Sequence, residues 1–452
     1  MPERPSAREA LALVTDDFTE LPVPMRDSGP DGPLAWAGYD ASRARAAART
    51  GEEESVVCGR ATVGSTPAVL IAFEFGFLGG SLGERGGDRL EAAHTYARAH
   101  RLPVVSLIAT GGSRMQEGML ALTQLQRVAR QSALTRAAGL AQLAVLRDPT
   151  TGGGWATLGA GADVVLALPG TQVGFAGSRV RPPEADPAAY TAEAQLAAGT
   201  VDAVVPPGEL RAVLGLWLGL LTAPSTEPAP VPRALGAADL PATGWDAVRR
   251  ARDPGRPRAR AYLDAYFTRR VALGGDRSGG RDPDGMLCGF GSHDGRTIAY
   301  AAQTGTATRP AGYRAAARLI RLADALSVPV LTLVDTPGAA NDAEAERQGA
   351  GAAIADLFTA VATARTPLTT LVIGEGGSGG ALALAAPDNT WATPDSYFSV
   401  IAPELAAAIL KRPADRVRAT ADQLRVRPQD LVALGVVRGI AGQEAAAPPP
   451  PG

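Results

Sequence analysis

The chain of 452 residues has few of the residue types that most familiar catalytic and metal sites require. Its two cysteines, Cys58 and Cys288, are too few for a disulfide framework and form no CxxC pair for zinc. Its three histidines lie outside the glycine-rich motifs described below, which disfavours a Ser-His-Asp or Cys-His hydrolase. We therefore expect two buried thiols in a reducing compartment and no metal site in this chain.

Lysine is almost absent, and long apolar runs and an excess of either charge are missing. Lys411 is the single lysine, so the chain has no GxxxxGK[ST] phosphate loop, and no GxGxxG motif follows a first strand. The longest apolar stretches, such as 210–221, are shorter than the roughly 20 residues that cross a bilayer, and charged residues interrupt the start where a signal peptide needs an apolar run. With 44 basic against 46 acidic residues, we expect a cytoplasmic protein with neither nucleic acid nor a membrane as partner.

The remaining sequence divides into two long segments and three short ones. A Pro- and Ala-rich stretch at 222–244 predicts a linker, and a similar run at 441–452 predicts a disordered tail. Residues 1–50 are expected to form a helical or irregular N-terminal segment. This leaves 51–221 and 245–440 as two domains, each long enough to bury a core.

The two long segments contain the same order of a proline, an apolar strand-like run and a glycine turn. LPVVSLIATGGSR at 102–114 matches VPVLTLVDTPGAA at 328–340, and LAQLAVLRDPTTGGG at 140–154 matches PLTTLVIGEGGSGGA at 367–381. Helix-like stretches alternate with these runs, which favours βα units and buried sheets. The sequence therefore predicts an α/β fold that arose as an internal repeat.

Paired glycines after a strand permit a tight turn that points free backbone N–H groups at one spot, which suits an oxyanion. The turns are Gly111-Gly112 and Gly152-Gly153 in the first half, and Pro337-Gly338 and Gly379-Gly380 in the second. For any single pair, a tight βα turn or the packing of a helix against the sheet is the better explanation, but two matched sets at repeated spacing favour a site. Oxyanion donors without an evident protein base suit chemistry on an enolate.

Eight motifs follow one another along the chain in the order of one known family. In the first half they are FGFLGGSLGE (75–84), ATGGSRMQEGMLAL (109–122), RDPTTGGG (147–154), VGFAGSRV (173–180) and AAGTVDAVVPPGEL (197–210). In the second half they are GWDAVRRARDPGRPRARAYLD (244–264), AGYRAAARLIRLADALSVPVLTLVDTPGA (311–339) and IGEGGSGGALAL (373–384). Together they resemble the carboxyltransferase of biotin-dependent acyl-CoA carboxylases, with a β-type subunit fused to an α-type subunit.

The resemblance implies two crotonase-like (ββα spiral) domains in tandem, with the acyl-CoA site in the β-type domain and the carboxybiotin site in the α-type domain. It implies transfer of CO2 from carboxybiotin, held on a separate carrier protein, to the α-carbon of acetyl-CoA or propionyl-CoA. The implied partners are acyl-CoA, a biotin carboxyl carrier protein, a biotin carboxylase and further copies of this chain in a homodimer or larger oligomer.

The resemblance also assigns roles to individual residues. The backbone amides of Gly112 and Gly153 are implied to hold the thioester enolate, and those of Gly338 and Gly380 the negative charge on biotin. Substrate binding is implied for Gly111, Ser113, Arg114, Gly152, Phe175, Ala176, Gly177 and Gly379.

The sequence departs from the family's pattern mainly in the second half. The segment that usually reads HQKGR is AAQTGT at 301–306, and the stretch that usually contains YPG and EER is ANDAEAERQGAG at 340–351. The four-cysteine zinc ribbon that often begins the β-type subunit has no counterpart, and Lys411 lies in ILKRP instead of a biotinylation motif. A biotin-independent malonyl-thioester decarboxylase and a non-catalytic scaffold subunit of a carboxylase complex therefore stay open as alternatives.

Overall fold

The computed structural model describes residues 4–26 and 28–442, which fold into two compact units of mixed helices and strands. The first unit runs to Thr222 and includes Arg277–Gly279, and the second takes the rest of the described chain from Ala223. The predicted α/β fold with an internal repeat is thereby confirmed. Of the tail predicted at 441–452, residues 443–452 lie outside the described part.

The first unit is built on an eight-stranded sheet. Its strands are β1 (Asp17–Glu20), β2 (Val56–Val63), β3 (Thr66–Phe73), β4 (Val104–Thr110), β5 (Gln142–Thr151), β6 (Val164–Ala167), β7 (Val173–Gly174) and β8 (Ala203–Val204). Its helices are α1 (Ala7–Val14), α2 (Tyr39–Thr50), α3 (Glu84–His100), α4 (Gly118–Ala137), α5 (Gly152–Gly154), α6 (Ala192–Ala197) and α7 (Pro207–Leu221). Single turns of 3₁₀-helix occur at Leu78–Gly80, Met115–Glu117 and Pro187–Tyr190, and a π-helical turn at Trp155–Gly159.

The strands of the first sheet lie in the order β1-β2-β3-β4-β5-β6-β8, and β7 pairs with the end of β5. The first three are antiparallel, and β3 to β6 run parallel. All seven residues of β4 are buried, as expected for a parallel strand covered on both faces. Because β4 and β5 are parallel neighbours, the turns that follow them lie side by side at the carboxyl ends of the strands.

The second unit contains a sheet of the same size. Its strands are β9 (Arg269–Ala272), β10 (Met286–His293), β11 (Arg296–Gln303), β12 (Val330–Thr336), β13 (Leu368–Gly377), β14 (Thr390–Ala392), β15 (Tyr397–Ser399) and β16 (Gly439–Ile440). Its helices are α8 (Gly244–Ala251), α9 (Ala259–Tyr266), α10 (Pro310–Leu326), α11 (Ala343–Arg347), α12 (Ala350–Thr363), α13 (Ser378–Leu382), α14 (Pro403–Ile409), α15 (Val417–Gln423) and α16 (Pro428–Ala433), with a 3₁₀ turn at Ala414–Arg416.

The second sheet repeats the first strand for strand. Its order is β9-β10-β11-β12-β13-β14-β16, and β15 pairs with β13 as β7 pairs with β5. The hairpin between β10 and β11 turns at Asp294 and Gly295, whose φ angles of 49° and 78° suit a two-residue connection. Cys58 and Cys288 occupy the third position of β2 and β10, and both are buried free thiols. The sequence repeat is therefore a repeat of topology.

The register between the two central parallel strands is also shared. Each ladder shifts just before a threonine near its carboxyl end, so that Thr110 pairs with Thr150 in the first unit and Thr336 with Gly376 in the second. The glycine turns follow these positions directly. The repeat therefore extends into the turns that the sequence singled out.

The N-terminal segment 1–50 is more regular than expected, because it contributes a strand to the first sheet. β1 pairs antiparallel with β2 at the edge of that sheet. Ahead of it, α1 begins at a capping box in which the Ser6 side chain accepts from the Glu9 amide and the Glu9 side chain accepts from the Ser6 amide. A four-residue edge strand without apolar alternation carries little sequence signal, since three of its residues are exposed.

The stretch 222–244, expected to be a linker, contains no helix or strand before Gly244. It nevertheless packs on the second unit. Ala229 is 3% exposed and lies in the apolar cluster around Tyr262 and Leu331, and its carbonyl accepts a hydrogen bond from Thr369 Oγ1. Backbone contacts of this kind leave no periodic pattern in the sequence. We found no helix within the described residues long and apolar enough to cross a bilayer.

Candidate functional site

The two glycine turns of the first unit meet at the carboxyl ends of β4 and β5. Gly112 has a φ of 110° and Gly152 a φ of 65°, a region that side chains rarely adopt. A Cβ added to Gly152 would lie 3.0 Å from the Cα of Gly112. The two backbones approach this closely because neither residue has a side chain.

The threonine that ends β4 organises the first turn. Its Oγ1 accepts a hydrogen bond from the Gly112 N–H at 3.0 Å and donates to the Gly80 carbonyl at 2.7 Å. The Gly111 N–H donates to the Gly79 carbonyl. The amide of Gly112, predicted from the sequence as an oxyanion donor, is thus occupied within the turn by Thr110.

Two other amides at this edge have no hydrogen-bond partner among the described residues, those of Ser113 and Gly153. Gly153 lies in the first turn of the short helix α5, where backbone N–H groups have no partner within the helix. The amide of its neighbour Gly152 is occupied, because it donates to the carbonyl of Phe175 at 3.0 Å. The geometry therefore supports Gly153 as a donor and replaces Gly112 with Ser113.

The segment after β7, which contains three of the predicted substrate-binding residues, borders these turns. Phe175 holds the Gly152 amide through its carbonyl, and its side chain is 73% exposed. Gly177 lies beside Thr151, whose Oγ1 would be 3.6 Å from a Cβ at that position. Ala176 lies between them and accepts from Arg181 Nε at its carbonyl. Phe175, Ala176 and Gly177 thus lie close to Gly152 at one edge of the sheet.

Arg114 is the predicted substrate-binding residue that the structure places elsewhere. Its side chain is fully buried and pairs with the buried Glu54, and it also donates to Tyr39 Oη at 3.2 Å. Burial opposes the charged form, but the Glu54 carboxylate outweighs it and raises the pKa of Arg114 above its ordinary value. Its guanidinium faces protein groups on every side, so we infer a structural role instead of substrate binding.

The second unit repeats the arrangement at the ends of β12 and β13. Gly338, with a φ of 143°, donates its N–H to Thr336 Oγ1 at 3.2 Å. Ala339, the next residue, has an amide without a partner among the described residues, as Ser113 does in the first unit. The prediction of Gly338 as a donor is therefore replaced by Ala339, which sequence reasoning missed.

The turn after β13 offers the amides of Gly379 and Gly380, which also lack partners in the described chain. Ser378 precedes them with a φ of 61° and occupies the place that Gly152 has in the first unit. Counted from the paired residues Thr150 and Gly376, Gly379 is the counterpart of Gly153. The repeat therefore points to Gly379, one residue before the predicted Gly380.

The space around the side-chain position also differs between Gly379 and Gly380. A Cβ at Gly380 would lie 2.6 Å from the backbone nitrogen of Ala339, so Gly380 is needed for the turns to approach each other. At Gly379 no atom lies within 4 Å of the added Cβ, and the residue is exposed. Gly379 therefore faces open space with a free amide, and Gly380 supports the turn from within.

The loop 303–308 holds both turns of the second unit in place. The buried Gln303 donates from Nε2 to the carbonyl of Gly380 at 3.1 Å, and Thr308 donates its N–H to the carbonyl of Gly338. Thr304 and Thr306, which replace the family's Lys and Arg, both donate their hydroxyls to the carbonyl of Asp284. The sequence had marked this loop only as a departure from the family.

Other candidate chemistries find no support in the described residues. Burial raises the pKa of both Cys58 and Cys288 to about 12, so neither thiol is a ready nucleophile. His94 is buried beside Thr135 in the core of the first unit. Within residues 4–26 and 28–442 no group of three or more His, Cys, Asp or Glu side chains is arranged to hold a metal ion.

Two family models match the chain, one in each unit. Residues 35–204 match the model described as "Carboxyl transferase domain", and residues 240–447 match the model described as "Acetyl co-enzyme A carboxylase carboxyltransferase-like".

Curated relatives match over most of the chain. It is 39% identical over 427 residues to the acetyl-coenzyme A carboxylase carboxyl transferase subunits beta/alpha of Saccharopolyspora erythraea, covering 90% of this chain and 75% of that protein. It is 38% identical to the protein of the same name from Salinispora arenicola, covering 98% and 82%. It is 34% identical to a probable biotin-dependent acyl-coenzyme A carboxylase beta3 subunit of Mycobacterium bovis, covering 94% and 85%.

Solved structures match at lower sequence identity. Transcarboxylase 12S with methylmalonyl-coenzyme A and methylmalonic acid bound superposes with a TM-score of 0.79 at 21% identity, over 97% of this chain and 86% of that one. A single-chain, multi-domain long-chain acyl-CoA carboxylase superposes with a TM-score of 0.73, over 96% of this chain and 44% of that one. These structures confirm the predicted fold class.

Proposed function

The chain belongs to the carboxyltransferases of the biotin-dependent acyl-CoA carboxylase family, and from that premise we propose that it carboxylates acetyl-CoA to malonyl-CoA. In this proposal the carboxyl group arrives on biotin attached to a separate carrier protein, which a biotin carboxylase recharges in the cytoplasm. The first unit is the acyl-CoA site and the second unit the biotin site. The observation that supports it is the repeated pair of turns, each presenting unpaired amides at the ends of adjacent parallel strands.

The first unit contributes charge stabilisation at the thioester oxygen. Loss of the α-proton from the acyl group places negative charge on that oxygen, and the amides of Ser113 and Gly153 are two preorganised donors for it. The close approach of Gly112 and Gly152 keeps these donors at one spot. Preorganised donors act without the reorganisation that water would need during the reaction.

We assign the ureido ring of biotin to the second unit, because its oxygen gains negative charge when the carboxyl group leaves. When bound, carboxylated biotin supplies the CO2 and then accepts the α-proton. The amides of Ala339 and Gly379 point to no other acceptor in the described chain, and the space at Gly379 is open. These groups hold the ureido oxygen as its charge increases, while Gln303 and Thr308 fix the two turns.

The finer parts of the proposal rest on the relatives' names and on chemistry. The relatives from Saccharopolyspora erythraea and Salinispora arenicola are named for acetyl-coenzyme A, and one additional methylene changes discrimination by only about 1 to 3 kcal/mol. We therefore propose acetyl-CoA with some activity on propionyl-CoA. The hexamer named for transcarboxylase 12S supports a homodimer or larger oligomer, which light scattering of the purified chain measures.

A malonyl-thioester decarboxylase is the second candidate, because Thr304 and Thr306 leave the biotin half-site without the family's cations on that loop. The reverse reaction, in which malonyl-CoA gives up its carboxyl group to biotin, distinguishes the carboxyltransferase from the decarboxylase. The carboxyltransferase proposal predicts that malonyl-CoA loses its carboxyl group only when biotin or its carrier is added. The same rate without biotin establishes the decarboxylase, and no turnover of a folded, CoA-binding protein in either assay supports the scaffold subunit.

A further inference from the structure

The loop at 304–306 in the second unit has no charged side chain of its own. Thr304 and Thr306 direct their hydroxyls to the carbonyl of Asp284. The loop nevertheless adjoins the candidate biotin site, because the Thr306 carbonyl accepts from Thr336 Oγ1 at 2.8 Å and Thr336 holds the Gly338 amide. A carboxylated ligand at this site carries a negative charge, which requires a donor from elsewhere.

Arg258 reaches this loop from the chain that leads into α9. Its Nη1 lies so close to Gly305 that a Cβ added there would overlap it. Gly305 has a φ of 98° and donates its N–H to the carbonyl of Asp335 at 2.7 Å. Asp335 is the residue before Thr336 at the end of β12. The guanidinium of Arg258 therefore lies at the same end of the sheet as the turns.

The charge of Arg258 is not satisfied by the protein. Its one ion contact in the described chain is Asp335 Oδ2 at 3.6 Å, which is longer than a hydrogen bond, and its side chain is 38% exposed. The other oxygen of Asp335 is taken by Arg256 at 2.5 Å and by the amide of Glu375. Arg252 is likewise engaged, with Glu375. Arg258 thus keeps N–H donors for a ligand, whereas the buried Arg256 is engaged by protein groups.

We propose that Arg258 binds the carboxylate of carboxybiotin at the second-unit site and supplies the cation that the loop lacks. This inference rests on the proposed function. A planar guanidinium can donate two parallel hydrogen bonds to a carboxylate, which a lysine or threonine cannot. The contact of Arg258 with Asp335 is made through Nη1 at 3.6 Å, so its other N–H groups are available to a ligand. The neutral, decarboxylated ring does not need this contact.

The test compares Arg258→Gln and Arg258→Lys with the control Arg260→Gln, which removes an exposed arginine two residues further along α9. Calorimetry measures the affinity for biotinamide that carries a carboxymethyl group on its ureido nitrogen N1′, an unreactive anionic probe, and for uncharged biotinamide. Steady-state kinetics measures KM for the carboxylated carrier protein. Acetyl-CoA affinity and thermal unfolding report on the first unit and on folding.

We expect Arg258→Gln to weaken binding of the anionic probe and to raise KM for the carboxylated carrier by about tenfold or more, as for a lost charge-assisted contact. Biotinamide and acetyl-CoA binding should stay unchanged, and Arg258→Lys should recover only part of the loss. The inference is overturned if Arg258→Gln binds the anionic probe as wild type does, or weakens both probes equally. A wild-type protein that transfers no carboxyl group and binds neither probe overturns the proposed function and this inference together.

Discussion

Replacing Gly379 with proline removes one free amide from the second-unit turn. Proline removes the N–H group, whereas alanine at the same position adds a Cβ and keeps it. The structure has room for a Cβ here, because no atom lies within 4 Å of it and the φ of Gly379 is not positive. Because proline also restricts the residue before it, Ser378, the difference between Gly379→Pro and Gly379→Ala reports on the amide when both variants keep native circular dichroism and thermal unfolding.

Loss of one preorganised oxyanion donor typically lowers kcat by about 100- to 1,000-fold, or roughly 3 to 4 kcal/mol. We expect that loss for Gly379→Pro and less than about tenfold for Gly379→Ala, measured as carboxyl transfer from the carboxylated carrier to acetyl-CoA. Acetyl-CoA affinity by calorimetry should be unchanged in both, because Gly379 belongs to the second unit. Equal kcat for the two variants, with native circular dichroism, refutes the role of this amide. Loss of acetyl-CoA affinity instead would reverse the assignment of the two half-sites.

Three further predictions concern the first unit. Gly153→Pro should abolish turnover, because it deletes the matching amide, whereas Gly153→Ala, which places the same Cβ against the Leu125 side chain but keeps the N–H, should retain far more activity; equal kcat in the two variants would remove Gly153 from the site. Arg114→Met should lower the free energy of unfolding in urea by about 3 to 5 kcal/mol, since it leaves Glu54 buried without its partner; lost acetyl-CoA affinity at unchanged stability would restore a binding role for Arg114. Burial, with a smaller contribution from Arg98, lowers the pKa of His94 from 6.5 to about 4. The buried neutral imidazole therefore contributes its full stability above pH 6.5, and this stability is lost as the pH falls from 6.5 towards 4. This costs about 2 kcal/mol between pH 7 and pH 5, and a His94→Gln variant that loses as much stability over the same range contradicts it.

The sequence was most informative where the chain repeats itself. Matched apolar runs and glycine pairs predicted two α/β halves and brought the four turns to the correct strand ends, because strand burial and left-handed turns both restrict residue type. Gly112 and Gly152 need the absence of a side chain for their close approach. A requirement for glycine of this kind can be recognised from a single sequence.

The sequence did not show which backbone amide of each turn is free to bind an oxyanion. Thr110 and Thr336 occupy the N–H groups of Gly112 and Gly338 through side-chain hydrogen bonds whose geometry depends on the bulge at the strand end. The free amides therefore belong to the following residues, Ser113 and Ala339. No residue-type preference marks a free amide, since every residue except proline has an N–H group.

The roles of the charged residues near the motifs were hard to predict for a related reason. Arg114 follows the glycine turn directly and has the character of a ligand-binding residue, but Glu54, which pairs with it, is distant in the sequence. Arg258 lies outside the glycine motifs, and only the fold brings it against Gly305. Pairing between distant segments decides which charges are available to a ligand.

Above all, we propose that this chain transfers the carboxyl group of carboxylated biotin to acetyl-CoA, with one negative charge stabilised in each unit. The most direct measurement uses a carrier protein carboxylated with carbon-14, mixed in one turnover with the purified chain, with and without acetyl-CoA. The account predicts that acetyl-CoA converts the label into an acid-stable malonyl thioester, and that little label moves without it. Label released only as CO2, whether or not acetyl-CoA is present, would contradict the account.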